Sequence, residues 1–381
     1  MLSLWHNEKN VMMQEGLTVA IAVAVISIVF TAWFIPKILI VSFKKRLFDF
    51  ADERKVHTGI VPRLGGVAFV PSIIISLSFA IGLCALVNGG GTHLRYFNVL
   101  QVTFGMCALL LLYFEGIMDD LVGLGYKIKF VFQNVAAALV VVSGVWLNDL
   151  HGLFGVYELS PYVGMPLTLL VMVYLINAIN LIDGIDGLAS GLSIVASFFF
   201  GVMFLYVGLW GCAALAFAIF GTLCPFFYYN VFGNADRCRK IFMGDTGSQC
   251  IGLLLGYCAI RLSMKEPLME HNIEGSIIVA FSTLLVPAFD VIRVMIHRAR
   301  AGRNMFRPDK SHVHHKLLAL GIPHKAAMTI ILVIAMLFVV LNLILLSYMN
   351  INIILLIDIV IWSGLNMILS AMIKKKKTDI Q

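Results

Sequence analysis

A chain of 381 residues with 60% hydrophobic and only 13% charged side chains is too apolar for a soluble domain, in which about a quarter of residues carry charge. With mean hydropathy +0.94 it reads as an all-α polytopic membrane protein, because a helix satisfies its own backbone hydrogen bonds in lipid. The net charge of +7 suits anionic headgroups or a phosphorylated ligand and calls for no nucleic acid.

About eleven apolar runs are each long enough for a hydrocarbon core that takes ~20 helical residues. They occupy 17–43, 64–87, 99–117, 130–148, 165–181, 188–209, 211–229, 247–263, 275–296, 325–347 and 352–373. The first is too long for a signal-peptide core and follows Glu8 and Glu15 rather than a basic stretch, so it reads as a retained span. Only the glycines of "GLWGC" separate the sixth run from the seventh. The seven cysteines lack metal-type spacing and read as small packing residues. Residues 1–381 form one integral membrane domain on this reading.

Loop charge orients the chain. Lys44, Lys45, Arg46, Arg54, Lys55 and Arg63 follow the first run, and Arg298, Arg300, Arg303, Arg307, Lys310, Lys316 and Lys325 follow the ninth. The "KKKK" at 374–377 falls on the same side if the count is odd. The expected N-terminus is therefore outside and the C-terminus cytoplasmic.

Four polar clusters then open on the cytoplasmic face. "GIMDDLVGLGYKIK" (116–129) pairs Asp119 with Asp120 at a helix end, where two carboxylates repel unless a cation or a partner such as Lys127 joins them. Solvated loop residues are the bland alternative. In "NAINLIDGIDGL" (177–188), Asn177, Asn180 and Asp183 recur at i, i+3 along one side of a helix end. Helix termination explains Gly184 and Gly187 but leaves those three and Asp186 unexplained. "KIFMGDTGSQ" (240–249) sets Asp245 before a helix, as a cap or as an oxygen ligand for Mg²⁺. "RNMFRPDKSHVHHKL" (303–317) crowds His312, His314 and His315 among basic residues, which suits phosphate or sugar oxygens better than zinc. Asp290 and Arg293, three residues apart, read as a structural ion pair.

Carboxylates and amides for a hard cation, basic groups for phosphates and an apolar body together describe phosphoryl transfer at a membrane surface. At this point "MDDLVGLGYKIK", "NAINLIDGIDGLASG", "FMGDTGS" and "RPDKSHVHH", in this order, resemble the polyprenyl-phosphate N-acetylhexosamine-1-phosphate transferase family. "RKVHTGIVPRLGGVAF" (54–69) adds to the likeness, which spans about residues 45–325. The resemblance implies transfer from a UDP-N-acetylhexosamine to undecaprenyl phosphate, with release of UMP, in the bacterial cytoplasmic (inner) membrane. It implies Mg²⁺ (or Mn²⁺) held by Asn180 and Asp245, and Asp119 and Asp120 near the lipid phosphate with Lys127 holding phosphate charge. Asp183 is implied near the metal and diphosphate, Asp186 near the uracil, Asn177 among the substrate-binding residues, and Arg303 or Arg307 with His312, His314 and His315 over the sugar diphosphate. Val313 interrupts the histidines, which resembles the branch using UDP-N-acetylglucosamine for O-antigen, enterobacterial-antigen or teichoic-acid-type glycans, against the branch taking UDP-linked muramyl pentapeptide. A homodimer is left open. The rival class is a secondary transporter, but that would place ionisable groups near mid-bilayer and show repeats between its halves.

Overall fold

The computed structural model describes residues 2–47, 61–87, 98–265, 273–300, 302 and 312–380. Each of the eleven apolar runs is helical. The helices are α1 (Leu2–Lys45), α2 (Phe69–Val87, entered through a 3-10 turn at Gly65–Ala68), α3 (Val99–Val122), α4 (Tyr126–Val142), α5 (Pro161–Ile182), α6 (Leu188–Val207), α7 (Trp210–Val231) and α8 (Gly244–Ser263). They continue with α9 (Ser276–Ser282), α10 (Leu285–Arg300), α11 (Val313–Ala319), α12 (His324–Leu346) and α13 (Ile351–Ile380). Eight of these helices are long and apolar enough to cross a membrane, or nine if α9 and α10 make one span. The protein is a multi-pass membrane protein.

Three features depart from the sequence expectation. The run 275–296 is broken, with α9 and α10 bent by 79°. Pro287 explains the place: it has no N–H to donate and its ring crowds the carbonyl four residues earlier, at Thr283, so no straight helix passes through. The chain is also not purely α-helical, because Asp149–Leu153 (β1) and Val156–Glu158 (β2) pair antiparallel. Gly152 and Gly155 at positive φ turn this ribbon. Finally, α4 has only 17 residues and α8 starts with "GDTGSQ", so neither joins the eight candidate spans.

α8 lies at the centre. Most of its residues are buried, and it packs against α3 and α5. At one end of this trio the chain has no room for side chains: a Cβ on Gly116 of α3 would strike the Thr246 backbone of α8. That close approach brings the "MDD" end of α3 directly against the "GDTG" start of α8. The segment 62–66 is tied to the entry of α8 through backbone bonds from Phe242 N to Pro62 O (2.8 Å), Gly65 N to Phe242 O (2.9 Å) and Gly66 N to Met243 O (2.8 Å). None of the seven cysteines forms a disulfide; Cys250 and Cys258 are buried, whereas Cys107 and Cys238 are exposed, against the packing role expected of them.

Candidate active site

Asp119 and Asp120 are adjacent in sequence but do different work. Asp120 accepts from Asp245 N (2.8 Å), Thr246 N (3.0 Å) and Thr246 Oγ1 (2.5 Å). It therefore caps the start of α8 from another helix, satisfying N–H groups that a helix leaves orphaned. Asp119 accepts from Leu124 N and forms an ion pair with Lys129. The same Lys129 Nζ lies 3.1 Å from Asp245 Oδ2, so one ammonium bridges two carboxylates from different helices.

That lysine was missed in the sequence, where Lys127 was expected to fill the role. Lys127 is exposed at the start of α4. The signal was present: the buried face of α4 runs through Gln133, Ala136, Ala137 and Val140, and Lys129 precedes Gln133 by one turn whereas Lys127 does not.

Asn180, near the end of α5, donates to Asp245 Oδ1 and to Ser248 Oγ (2.8 Å). Asn177, one turn deeper, donates to Gln133 Oε1 (2.7 Å), and Gln133 donates in turn to Gln249 Oε1 (3.0 Å). Asn177 thus belongs to a buried amide ladder beneath the cluster, joining α5, α4 and α8. Asp183 follows α5 directly and is open to water, yet it is ringed by protein and acidic groups. The surrounding protein mass, then the carboxylates of Asp245, Asp186 and Asp120, push its carboxyl up to about 7 against the pull of Arg63. Arg63 is a second residue that the sequence reading did not single out for the site; it arrives with the 62–66 segment.

Asp186 forms an ion pair with Lys240 Nζ at 2.5 Å. The histidine segment joins the same end of the bundle. His312 Nδ1 lies 2.8 Å from Asp290 Oδ2, and Val313 N donates to both Asp290 oxygens at 3.1 and 3.3 Å. Arg293 Nη2 meets Asp290 Oδ1 at 2.8 Å. The expected Asp290–Arg293 pair is present, and Asp290 also anchors the start of α11. His314 is 1% exposed, and its ring rests on Gly184, where a Cβ would collide with Nε2. Glycine at 184 is what lets the histidine helix reach the "NAINLIDGIDGL" turn. Burial, then the neighbouring His315 and His312, lower the His314 pKa to about 3, so the ring is neutral. The His315 ring lies against it, tilted by 47° with ring centroids 4.2 Å apart. Arg303 and Arg307 lie outside the described residues.

Four sequence-distant clusters therefore meet at one end of the helix bundle. The profile of glycosyl transferase family 4 matches residues 102–263. A relative in Bacillus subtilis is 30% identical over 86% of this chain and 85% of its own length. A Yersinia pestis protein described as undecaprenyl-phosphate alpha-N-acetylglucosaminyl 1-phosphate transferase is 32% identical over 76% of this chain and 74% of its own. A Mycolicibacterium smegmatis protein described as decaprenyl-phosphate N-acetylglucosaminephosphotransferase is 30% identical over 87% and 82%. The chain belongs to glycosyl transferase family 4. It is a transferase enzyme of that family, and the matched stretch contains α3, α4, α5 and α8, the helices that carry the Asp119–Lys129–Asp245–Asn180 network. The Asp290–His312 contact and all of α11 to α13 lie beyond that stretch.

Proposed function

We propose that this enzyme transfers N-acetylglucosamine 1-phosphate from UDP-N-acetylglucosamine to undecaprenyl phosphate, releasing UMP and starting a cell-surface glycan of O-antigen, enterobacterial-antigen or teichoic-acid type. The observation that carries the reading is the bridge of Lys129 between Asp119 and Asp245, with Asn180 on Asp245 and Asp183 and Asp186 beside them. Opposed carboxylates around one ammonium make a place where cationic and phosphate groups can exchange partners. The names of the relatives supply the acceptor class and the sugar.

Among the described residues, no three His, Cys, Asp or Glu side chains converge as a ready-made metal cage. Mg²⁺ needs no such cage, since it takes one or two protein oxygens and fills its octahedron with water and phosphate. Asp245 and Asn180 fit that donor chemistry and would hold it, with Mn²⁺ as the substitute. When bound, the ion neutralises diphosphate charge during transfer. The protein's own groups do the rest. Lys129 is placed to hold the incoming lipid phosphate beside Asp119, while Asp120 fixes the backbone that presents Asp245. The lipid phosphate oxygen forms the new P–O bond to the sugar-bearing phosphorus as the bond to the UMP oxygen breaks. The Asp186–Lys240 pair faces the nucleotide, and His315 and the neutral His314 offer hydrogen bonds to the sugar diphosphate.

In the same reading the membrane is the bacterial cytoplasmic (inner) membrane, crossed eleven times with α4, α8 and the bent α9–α10 included, the N-terminus outside and the C-terminal lysines in the cytoplasm. The decisive assay presents purified enzyme and undecaprenyl phosphate with radiolabelled UDP-GlcNAc, UDP-GalNAc or UDP-MurNAc-pentapeptide. Label from UDP-GlcNAc should enter the lipid phase. Entry of the pentapeptide alone, or of no donor, overturns the reading.

A further inference from the structure

The histidine helix α11 is seven residues long, Val313–Ala319. So short a helix does not hold its own shape in water, yet it must keep His314 seated on Gly184. Asp290 pins its first turn through His312 and Val313 N. That leaves the other end, and its anchor comes from the last helix of the chain. Lys316 Nζ, the ammonium next to the histidines, meets three acceptors on α13: Asn366 O at 3.2 Å, Asn366 Oδ1 at 3.1 Å and Ser370 Oγ at 2.9 Å. A lysine ammonium has three donors, so the set is complete. Immediately after α11, Leu320 O accepts from Lys376 Nζ at 2.9 Å, a second tie from α13.

The acceptors are built into α13 and do not sit there by chance. Asp358, Trp362, Asn366 and Ser370 recur every four residues and so line one helix face. Asp358 accepts from Asn342 of α12 at 2.9 Å, and Asn366 is 4% exposed with its amide donating to Trp362 O. An apolar helix with a polar stripe on one side, ending on a cation from the site, is an arm. Its lipid-facing side is ordinary: Met367 and Ile368 are 71% and 63% exposed.

We infer that α13 is a working part of the active site: Asn366 and Ser370, through Lys316, position the histidine helix against the Gly184 turn. Lys316, Asn366 and Ser370 are positioning residues, since none needs to touch substrate. That the docked histidines serve the sugar donor rests on the proposed function; that α13 sets their pose does not.

The test therefore reads both pose and activity. Wild type, Lys316→Met, Asn366→Leu and the double variant are treated with diethylpyrocarbonate in detergent, and each histidine is followed by mass spectrometry. His314 should be protected in the wild type, should label on the order of tenfold faster in Lys316→Met, as expected for losing hydrogen bonds to a charged group, and should label faster by a smaller factor in Asn366→Leu, which keeps the bonds to Asn366 O and Ser370 Oγ. The double variant should label no faster than Lys316→Met, because losing the ammonium already removes every bond that Asn366 makes to it. His151, whose Nε2 lies 2.9 Å from Ser263 O at the opposite end of the bundle, reports general loosening and should be unchanged. Met367→Ala on the lipid side should leave His314 protected. In transfer assays, KM for the sugar donor should rise in the single variants while KM for the lipid phosphate stays within about twofold. Unchanged His314 labelling in the single variants, equal acceleration at His151, or additive effects in the double variant overturn the inference. If the wild type transfers no sugar phosphate, the functional reading fails alone and the labelling still decides the role of α13.

Discussion

The two ends of the helix bundle use polar residues in opposite ways. At the ribbon end they hold chain segments. Asn148 and Lys265 exchange side-chain and backbone bonds at 2.9 Å each, Asn352 clamps the ribbon through Phe154 N (2.6 Å) and Gly152 O (3.0 Å), and Asp149 accepts from His151 N (2.5 Å). Most of these partners are backbone groups, so the side chains close loops. At the other end carboxylates from two helices and one turn face each other, and their side-chain partners include Lys129, Asn180 and Lys240. Repelling charges held together by the fold make a poor loop closure and a good binding site. An apolar chain can support both, and partner type separates them more clearly than polarity does.

The strongest way to break that comparison is Asp245→Asn. It preserves shape while removing the charge that Lys129 and the proposed Mg²⁺ share. Transfer should fall by about 10²–10³-fold, the scale for losing one group that stabilises developing charge, with little change in the thermal midpoint in detergent. Near-normal turnover across a Mg²⁺ titration would remove Asp245 from the site. Lys129→Ala should cost nearly as much, since it leaves Asp119 and Asp245 facing each other without their shared cation.

A pH series comes next. With its carboxyl pushed up to about 7, folded Asp183 holds a proton that the unfolded chain loses near 3.8. Between these values the folded state binds more protons than the unfolded one, so its stability falls as pH rises through the window. Metal-free protein should therefore melt at a lower temperature at pH 8 than at pH 5, and added Mg²⁺ should restore more at pH 8. Asp183→Asn should flatten the slope. A slope that survives that substitution belongs to another group.

The ribbon end should give the reverse pattern. Asp149→Ala leaves His151 N without its acceptor and should cost about 1–3 kcal/mol of stability, read as a lower midpoint, while KM and kcat of the surviving enzyme match wild type. An activity loss larger than the loss of folded protein would mean that the two ends are coupled.

Much of this was legible from residues alone, and the misses share a cause. Hydrophobic runs marked every helix except α11 because lipid leaves few alternatives, and Asn180, Asp183 and Asp245 stood out because a polar residue beside an apolar run needs a reason. What failed was any judgement about which neighbour a side chain meets across helices. Asp119 and Asp120 look like a pair until α8 takes one of them as a cap. The ribbon at 149–158 is too short for a periodic signal, and the stripe 358–362–366–370 was hidden because Trp362 and Ser370 are ordinary in a membrane helix. Pro287 was readable and was passed over because the surrounding run was apolar enough to span.

The smallest expected effect tests the same lesson at a single position. Lys127 and Lys129 are two residues apart with identical chemistry, and only the helix period tells them apart. Lys127 lies exposed on the outer face of α4, whereas Lys129 reaches two carboxylates on the inner one. Lys127→Ala should therefore change transfer by less than about twofold and stability by less than about 0.5 kcal/mol, the ordinary scale for an exposed position. The informative quantity is the contrast with Lys129→Ala, measured side by side at matched ionic strength so that the loss of one positive charge near the membrane is common to both. Equal losses would mean that long-range charge, and not the bridge between Asp119 and Asp245, is what the lysines supply. A large loss confined to Lys129 ties activity to the contact itself.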